Sequence, residues 1–329
     1  MRRIEELGEK KVIEIIKDRL EMIPDMPVPF GDDVSAVQLG KDRLAVVKTD
    51  MLVGKTDVPP GMTLRQAARK AVVMNVSDFA AKGVKPLIGL ASLGLPRGFT
   101  DKDVEQIGLG LNEGAREYGA YIVGGDTNEA SDLVISCSLL GFSDRKTLVK
   151  RSGAEPGDIV AVTGHFGKTL AGLKILLEDF SVPEEIKDAL IDAIFVPKAR
   201  LREGLALANT GALTASIDSS DGLAWSLYEL SDASNVGFRI DNIPLAPEAV
   251  KFAETHGLIP WELGLYGGEE YELVMTVKPE GWEEARKAAP DLEASLTRIG
   301  RATEAMKLEL SVDGEVKPIE RRGWEHFRN

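Results

Sequence analysis

Aspartates recur along this chain in short polar motifs. Asp32 and Asp33 follow Gly31, Asp50 follows Thr49, Asp78 ends Asn75-Val76-Ser77-Asp78, and Asp126 ends Gly124-Gly125-Asp126 before Thr127. Far downstream comes Asp218-Ser219-Ser220-Asp221-Gly222. The Asp carboxylate is the short, hard-oxygen ligand that Mg²⁺ prefers, and Mg²⁺ usually bridges a few carboxylates to substrate phosphates. Brought together in space, these residues would make a multi-metal phosphate site. Singly, each also reads as a helix cap or a turn. Asp78 strains that bland reading, because it lies in the apolar helical stretch Ala71 to Ala81, where an unpaired charge is costly. Asp218 to Gly222 directly follows the apolar strand ending at Ile217, so a helix N-terminus with free N–H groups is expected there. The glycine pair of Gly267-Gly268-Glu269-Glu270-Tyr271-Glu272-Leu273 permits close backbone approach to a ligand, with a hairpin turn as the alternative.

Other chemistries fit poorly. Gly164-His165-Phe166-Gly167-Lys168-Thr169 lacks the glycine that a Walker A loop needs, since position 162 is Val. Gly108 and Gly110 lie inside a predicted helix, with Glu113 where a dinucleotide fingerprint needs glycine, so helix surface or packing is their reading. His165, His256 and His326 share no ligand spacing, which disfavours zinc chemistry and a Ser-His-Asp triad. The single cysteine, Cys137, excludes an internal disulfide. A formal charge of -13 argues against nucleic acid as the main partner. No apolar run is long enough to span a bilayer, and no apolar signal region follows Arg2 and Arg3, so a cytoplasmic protein is expected.

The elements that must position these residues alternate in type. A helix is predicted from Ile4 to Leu20, a hairpin from strands Val34 to Leu39 and Leu44 to Thr49, and an Ala-rich helix from Leu64 to Lys82 with Gly83 as its C-cap. A strand at Leu87 to Leu93, a helix from Asp101 to Tyr118 capped by Thr100, and strands Ala120 to Val123 and Leu133 to Phe142 follow. The turn-rich run Arg151 to Asp158 marks a junction, giving two domains, 1–147 and 148–329. The second half predicts strands at Ile159 to Thr163, Ala212 to Ile217, Glu272 to Val277 and Leu308 to Val312, and helices at Thr169 to Asp179, Lys198 to Asn209, Leu223 to Ser231 and near Trp282 to Ala289. Mixed α/β units of similar size imply helices layered on sheets.

In order, Gly-Asp-Asp, Thr-Asp, Asn-x-Ser-Asp, Gly-Gly-Asp-Thr, Arg-Ser-Gly-Ala-x-Pro-Gly-Asp, Asp-x-Ser-Asp-Gly-Leu and Gly-Gly-Glu-x-Tyr-Glu-Leu resemble the thiamine-monophosphate kinase family over nearly the whole chain, as does the ending Gly323-Trp324-Glu325-His326-Phe327. The resemblance implies the two-domain fold shared with aminoimidazole ribonucleotide synthetase, and a homodimer whose N-terminal strands form a barrel. It also implies ATP, several Mg²⁺ ions, and thiamine monophosphate as acceptor. By position, Asp32, Thr49, Asp50, Asp78, Asp126, Asp218 and Asp221 resemble metal ligands, with Asp78, Asp126 and Asp218 central to catalysis. Gly125, Asp126, Arg151 and Ser220 resemble ATP contacts, and Asp57, Glu269 and Trp324 stand on the acceptor side. Two positions depart from the pattern: Lys48 stands where many relatives have a hydroxyl residue near a metal, and Asp57 where some have a histidine. Another acceptor within the superfamily, or a non-catalytic Mg-ATP sensor, are the alternatives to a kinase.

Overall fold

The computed structural model describes residues 3–288, 295–312 and 314–327. The predicted first helix is divided by Gly8, at φ 73°, into α1 (Ile4–Leu7) and α2 (Glu9–Lys17). Strands β1 (Ser35–Gln38) and β2 (Arg43–Val53) form the expected antiparallel hairpin. They are followed by α3 (Gly54–Asp57), α4 (Leu64–Ala81), β3 (Lys85–Leu95), α5 (Asp101–Glu117), β4 (Tyr121–Glu129) and β5 (Val134–Asp144). The sheet order is β1-β2-β5-β3-β4, with β3 and β4 parallel and linked by α5. Because β4 continues to Glu129, Gly124 to Thr127 lies inside a strand, not at its end as the shorter predicted strand had it.

Helix α4 is the axis of the molecule. Thr63 caps its start by accepting from the Gln66 N–H, and Gly83, at φ 65°, turns the chain away at its end. Fourteen of its 18 residues are buried, because it packs between the first sheet, α5 and the second half of the chain. Glycines permit the close approaches. A Cβ at Gly110 of α5 would stand 2.1 Å from the Arg65 carbonyl oxygen. One at Gly204 would stand 2.0 Å from that of Ala80.

The second half comprises β6 (Ile159–Thr163), α6 (Lys168–Glu178), α7 (Glu184–Phe195), α8 (Leu201–Asn209), β7 (Leu213–Asp218), α9 (Leu223–Ser234), β8 (Gly237–Ile240), α10 (Pro247–His256), α11 (Pro260–Tyr266), β9 (Leu273–Val277), α12 (Trp282–Ala288), β10 (Leu296–Thr303), β11 (Leu308–Val312) and β12 (Glu315–Pro318). Its sheet runs β12-β11-β8-β10-β6-β9-β7. The sequence pattern did not anticipate α7, α10, α11, β8, β10 or β12. Ala289, the expected end of α12, lies outside the described residues. One hydrophobic core joins Val72, Val76 and Phe79 of α4 to Leu207, Met275 and Val277 of the second half. The two halves therefore share a seam, and α4 carries polar residues into it.

Candidate active site

The polar residues of α4 and of its C-cap, Lys82, organise that seam. Lys70, Asn75, Ser77, Asp78 and Lys82 are all buried, at 0–6% exposure, where ungrouped charges would be strongly unfavourable. At its C-terminal end, Asp78 meets Asp33 from the loop after Gly31 and Asp218 from the end of β7. Their carboxylates lie within 4.8 Å of one another, and all three are buried. Ser77 Oγ donates to Asp218 Oδ2 at 2.6 Å. Lys82 Nζ lies 2.7 Å from both Asp32 Oδ1 and Asp33 Oδ2 and donates to the Ser216 carbonyl. Arg151 Nε donates to Asp33 Oδ1 at 2.6 Å, and its guanidinium also meets Glu229. Lys48 Nζ reaches Asp50 Oδ1 at 3.0 Å and Asp78 Oδ2 at 2.9 Å.

Negative charge is in excess here. Asp32, Asp33, Asp50, Asp78, Asp218 and Asp221 face the three cations Lys48, Lys82 and Arg151, of which Arg151 is shared with Glu229. Burial pushes the Asp218 carboxyl up to about 6, and nearby Asp33 adds to the rise. Burial, with Glu9 and Asp218 beside it, brings Asp221 up to about 7. Asp78 is also raised well above its ordinary value by burial, and Lys48 does not fully offset the effect. Asp33 is the exception: burial opposes its charge, but Arg151 and Lys82 outweigh that and lower its pKa. Ser219 Oγ, in the loop after Asp218, is buried without a hydrogen-bond partner among the described residues. Converging hard-oxygen donors, an Asp78 and an Asp218 carboxyl that burial holds back from ionising, and an unpartnered hydroxyl in the loop after Asp218 together fit a divalent cation.

Asp221 and Ser220 belong to the turn between β7 and α9, which is tied to two other segments. Glu269 N–H donates to the Ser220 carbonyl at 2.6 Å and Tyr271 N–H to that of Ser219 at 2.9 Å, while Trp324 N–H donates to that of Asp221 at 3.1 Å. Glu269 and Tyr271 hold left-handed backbones, φ 63° and 53°, which non-glycine residues keep only when surrounding contacts enforce them. Lys70, from the other end of α4, lies 2.5 Å from Glu269 Oε1 and donates to the Asp57 carbonyl at 2.9 Å. Asp57 turns its carboxylate onto the Val53 N–H at 2.7 Å. Asp57, Lys70, Glu269 and the half-exposed Trp324 thus fall in one region, beside Asp221.

Two expected ligands lie elsewhere. Alternation along β2 directs Lys48, Asp50 and buried Leu52 toward α4, and turns Thr49 and Met51 to the outer face. Thr49 Oγ1 there accepts from Ser138 Oγ at 2.9 Å. Asp126 is exposed on edge strand β4, in register through Ser92 and Ser136 with Met51, so it too belongs to the outer face. Gly125 is needed for strand pairing, since a Cβ there would stand 1.8 Å from the Ala91 carbonyl oxygen. Asp32 accepts from Arg151 N–H at 3.0 Å and pairs with Lys82, so it supports the Asp33–Asp78–Asp218 group from its edge.

Lys82 and Lys70 are not singled out by the sequence, and Asp33 is grouped there with Asp32 but not assigned as a ligand. Lys70 and Lys82 carried the same signal as Asp78, a charge inside an apolar helical pattern. Asp33 carried none that separates it from Asp32. The N-terminus of α6 is occupied by the protein itself, since Glu270 Oε1 accepts from the Gly167 N–H at 2.6 Å. This agrees with rejecting a phosphate loop at Gly164 to Thr169.

Residues 31–143 match the N-terminal domain of AIR synthase related proteins, and residues 155–313 match the C-terminal domain. The chain is 37% identical to the thiamine-monophosphate kinase of Nitrosopumilus maritimus, over 98% of this chain and 99% of that protein. It is 38% identical to the enzyme of that name from Pyrococcus horikoshii, over 91% of each. A solved structure described as AaThiL complexed with AMPPCP and TMP superposes with a TM-score of 0.87, at 32% identity and over 99% of each chain. The chain belongs to the AIR synthase related family and, within it, to the thiamine-monophosphate kinases.

Proposed function

We propose that this protein transfers the γ-phosphate of ATP to thiamine monophosphate, giving thiamine diphosphate and ADP. The observation that carries the reading is the meeting of Asp33, Asp78 and Asp218, from three separate parts of the chain, with negative charge in excess around them. A phosphate monoester loses its second proton near about pH 6, so at neutral pH the acceptor oxygen is already an anionic nucleophile and needs no general base. That oxygen attacks the γ-phosphorus in line, the bond to the bridging oxygen breaks, and ADP departs without a phosphoenzyme.

Two anionic ligands held about 4 Å apart repel by roughly 4 kcal/mol per unit charge pair at an effective dielectric near 20. Asp33, Asp78 and Asp218, with Asp32, Asp50 and Asp221 nearby, would hold Mg²⁺, which would supply the neutralising charge. Arg151 and Ser220 face the donor, and Asp126, on the outer face of the first sheet, would reach it only through the dimer proposed below. Glu269 and Trp324 offer a carboxylate and an aromatic face to the cationic thiazolium ring. Lys70 fixes Glu269 and the Asp57 loop on that side.

The domain at 1–147 carries most of the metal and nucleotide groups and the dimer contact, and 148–329 supplies the Asp218 and Glu269 loops. The outer face of the first sheet exposes Val47, Met51, Leu90, Tyr121 and Val123 at 45–58%, an apolar surface suited to a second copy of the chain. Thr49 and Asp126 lie on this face, so their part in ion binding belongs to the dimer. No helix among the described residues is long and apolar enough to cross a membrane, and the cytoplasm is the proposed location. A coupled ADP assay comparing thiamine, thiamine monophosphate and aminoimidazole precursors tests the reading. ADP release should depend on the monophosphate; release with an aminoimidazole precursor, or none above background with the monophosphate, overturns it.

A further inference from the structure

Lys48 is held in an unusual way. On β2 it shares a face with Asp50, two residues on, and its ammonium also reaches Asp78 from α4, so it joins oxygens of two elements at 3.0 and 2.9 Å. Its side chain is only 20% exposed. The other two cations cannot take its place, because Lys82 is committed to Asp32, Asp33 and the Ser216 carbonyl, and Arg151 to Asp33 and Glu229. Without Lys48, Asp50 and Asp78 would confront each other beside Asp33 and Asp218 with no positive charge turned toward them. A compact ammonium seated between hard-oxygen donors stands where a metal ion would otherwise be drawn.

We infer that Lys48 is a built-in counterion that takes the cation position between Asp50 and Asp78, so that the chain binds one divalent ion fewer there than its carboxylates would otherwise hold. The inference rests on the proposed reading that this carboxylate group binds divalent ions, and it replaces the ion-binding part of Asp50. An ammonium tethered in place would lower the ion concentration needed to assemble the site, because one charge is neutralised permanently.

Counting bound Mn²⁺ by electron paramagnetic resonance on the full-length protein, with and without ATP, tests it. The Lys48→Gln variant should bind roughly one more Mn²⁺ per chain than the unaltered protein, while Lys48→Arg, which keeps the charge, should keep the unaltered count. Thermal melting gives a second readout: Mn²⁺ should raise the melting temperature of Lys48→Gln more than that of the unaltered protein. Should Lys48→Gln unfold in EDTA, millimolar Mn²⁺ should restore its fold. Equal counts in Lys48→Gln and the unaltered protein overturn the inference, as does an unfolded Lys48→Gln that Mn²⁺ does not rescue. Absence of bound Mn²⁺ from the unaltered protein would instead defeat the ion-binding reading itself, and the inference with it.

Discussion

Two buried groups of charged residues sit close together in the seam and differ in balance. In one, Glu272 is met by Arg200 through a two-pronged pair at 2.6 and 2.8 Å and by Thr163 Oγ1 at 2.6 Å, so the carboxylate is matched by a guanidinium and a hydroxyl. In the other, Asp33, Asp78 and Asp218 crowd together with too few cations, and burial raises the pKa of Asp78 and Asp218. A matched buried pair joins parts of a fold and is costly to break from one side. An unmatched group is unfavourable for folding alone and fits a site that receives charge from a ligand.

The largest effect that would sharpen this contrast is on turnover. Asp78→Asn removes one charge from the unmatched group, and ADP release with saturating Mg²⁺ should fall about 10³-fold, while melting shifts by only a few degrees. Turnover within a few-fold of the unaltered protein would break the contrast on the functional side. Next is the opposite profile. Glu272→Ala leaves Arg200 without this partner in a mostly buried setting and should cost about 3 kcal/mol of stability, read by denaturant unfolding, with acceptor KM changed less than about threefold. A stability loss under about 1 kcal/mol would show that the matched pair is not structural.

The smallest expected effect is the pH dependence of stability without divalent ions. Asp218, at about 6, and Asp221, at about 7, bind protons more tightly folded than unfolded. Glu270, raised by burial to about 7, acts in the same direction. Between the ordinary carboxylate range and pH 7 the folded state therefore holds more protons, and stability falls as pH rises through this window. In EDTA, melting should be about 2–5 °C higher at pH 5.5 than at pH 8, and saturating Mg²⁺ should flatten the difference. A melting temperature that rises with pH in EDTA would contradict the charge excess.

Much of the scaffold was legible in the residues. Thr63 and Gly83 bracket α4, Thr100 and Gly119 bracket α5, and the hydrophobic runs of β6 and β11 emerged with their predicted bounds. Local chemistry sets these features: side-chain caps, glycines at positive φ and period-two or period-3.6 burial. Where the reading failed, the cause was also local. Gly8 interrupts an apolar pattern that otherwise continues, and the amphipathic helix Glu184 to Phe195 follows Pro183 with no side-chain cap to mark its start. The sidedness of Thr49 and Asp50 was available in principle, because adjacent strand residues cannot face the same way.

The chain's family and its kinase chemistry were legible in the sequence alone, because short motifs in a fixed order survive without reference to distance. Only the tertiary structure decided that Asp33 joins Asp78 and Asp218 while Asp32 stays at their edge, that Lys48 lies between Asp50 and Asp78, and that Thr49 and Asp126 face away. Coulomb and hydrogen-bond interactions depend on separations of a few ångströms. Folding alone sets those distances between residues tens or hundreds of positions apart.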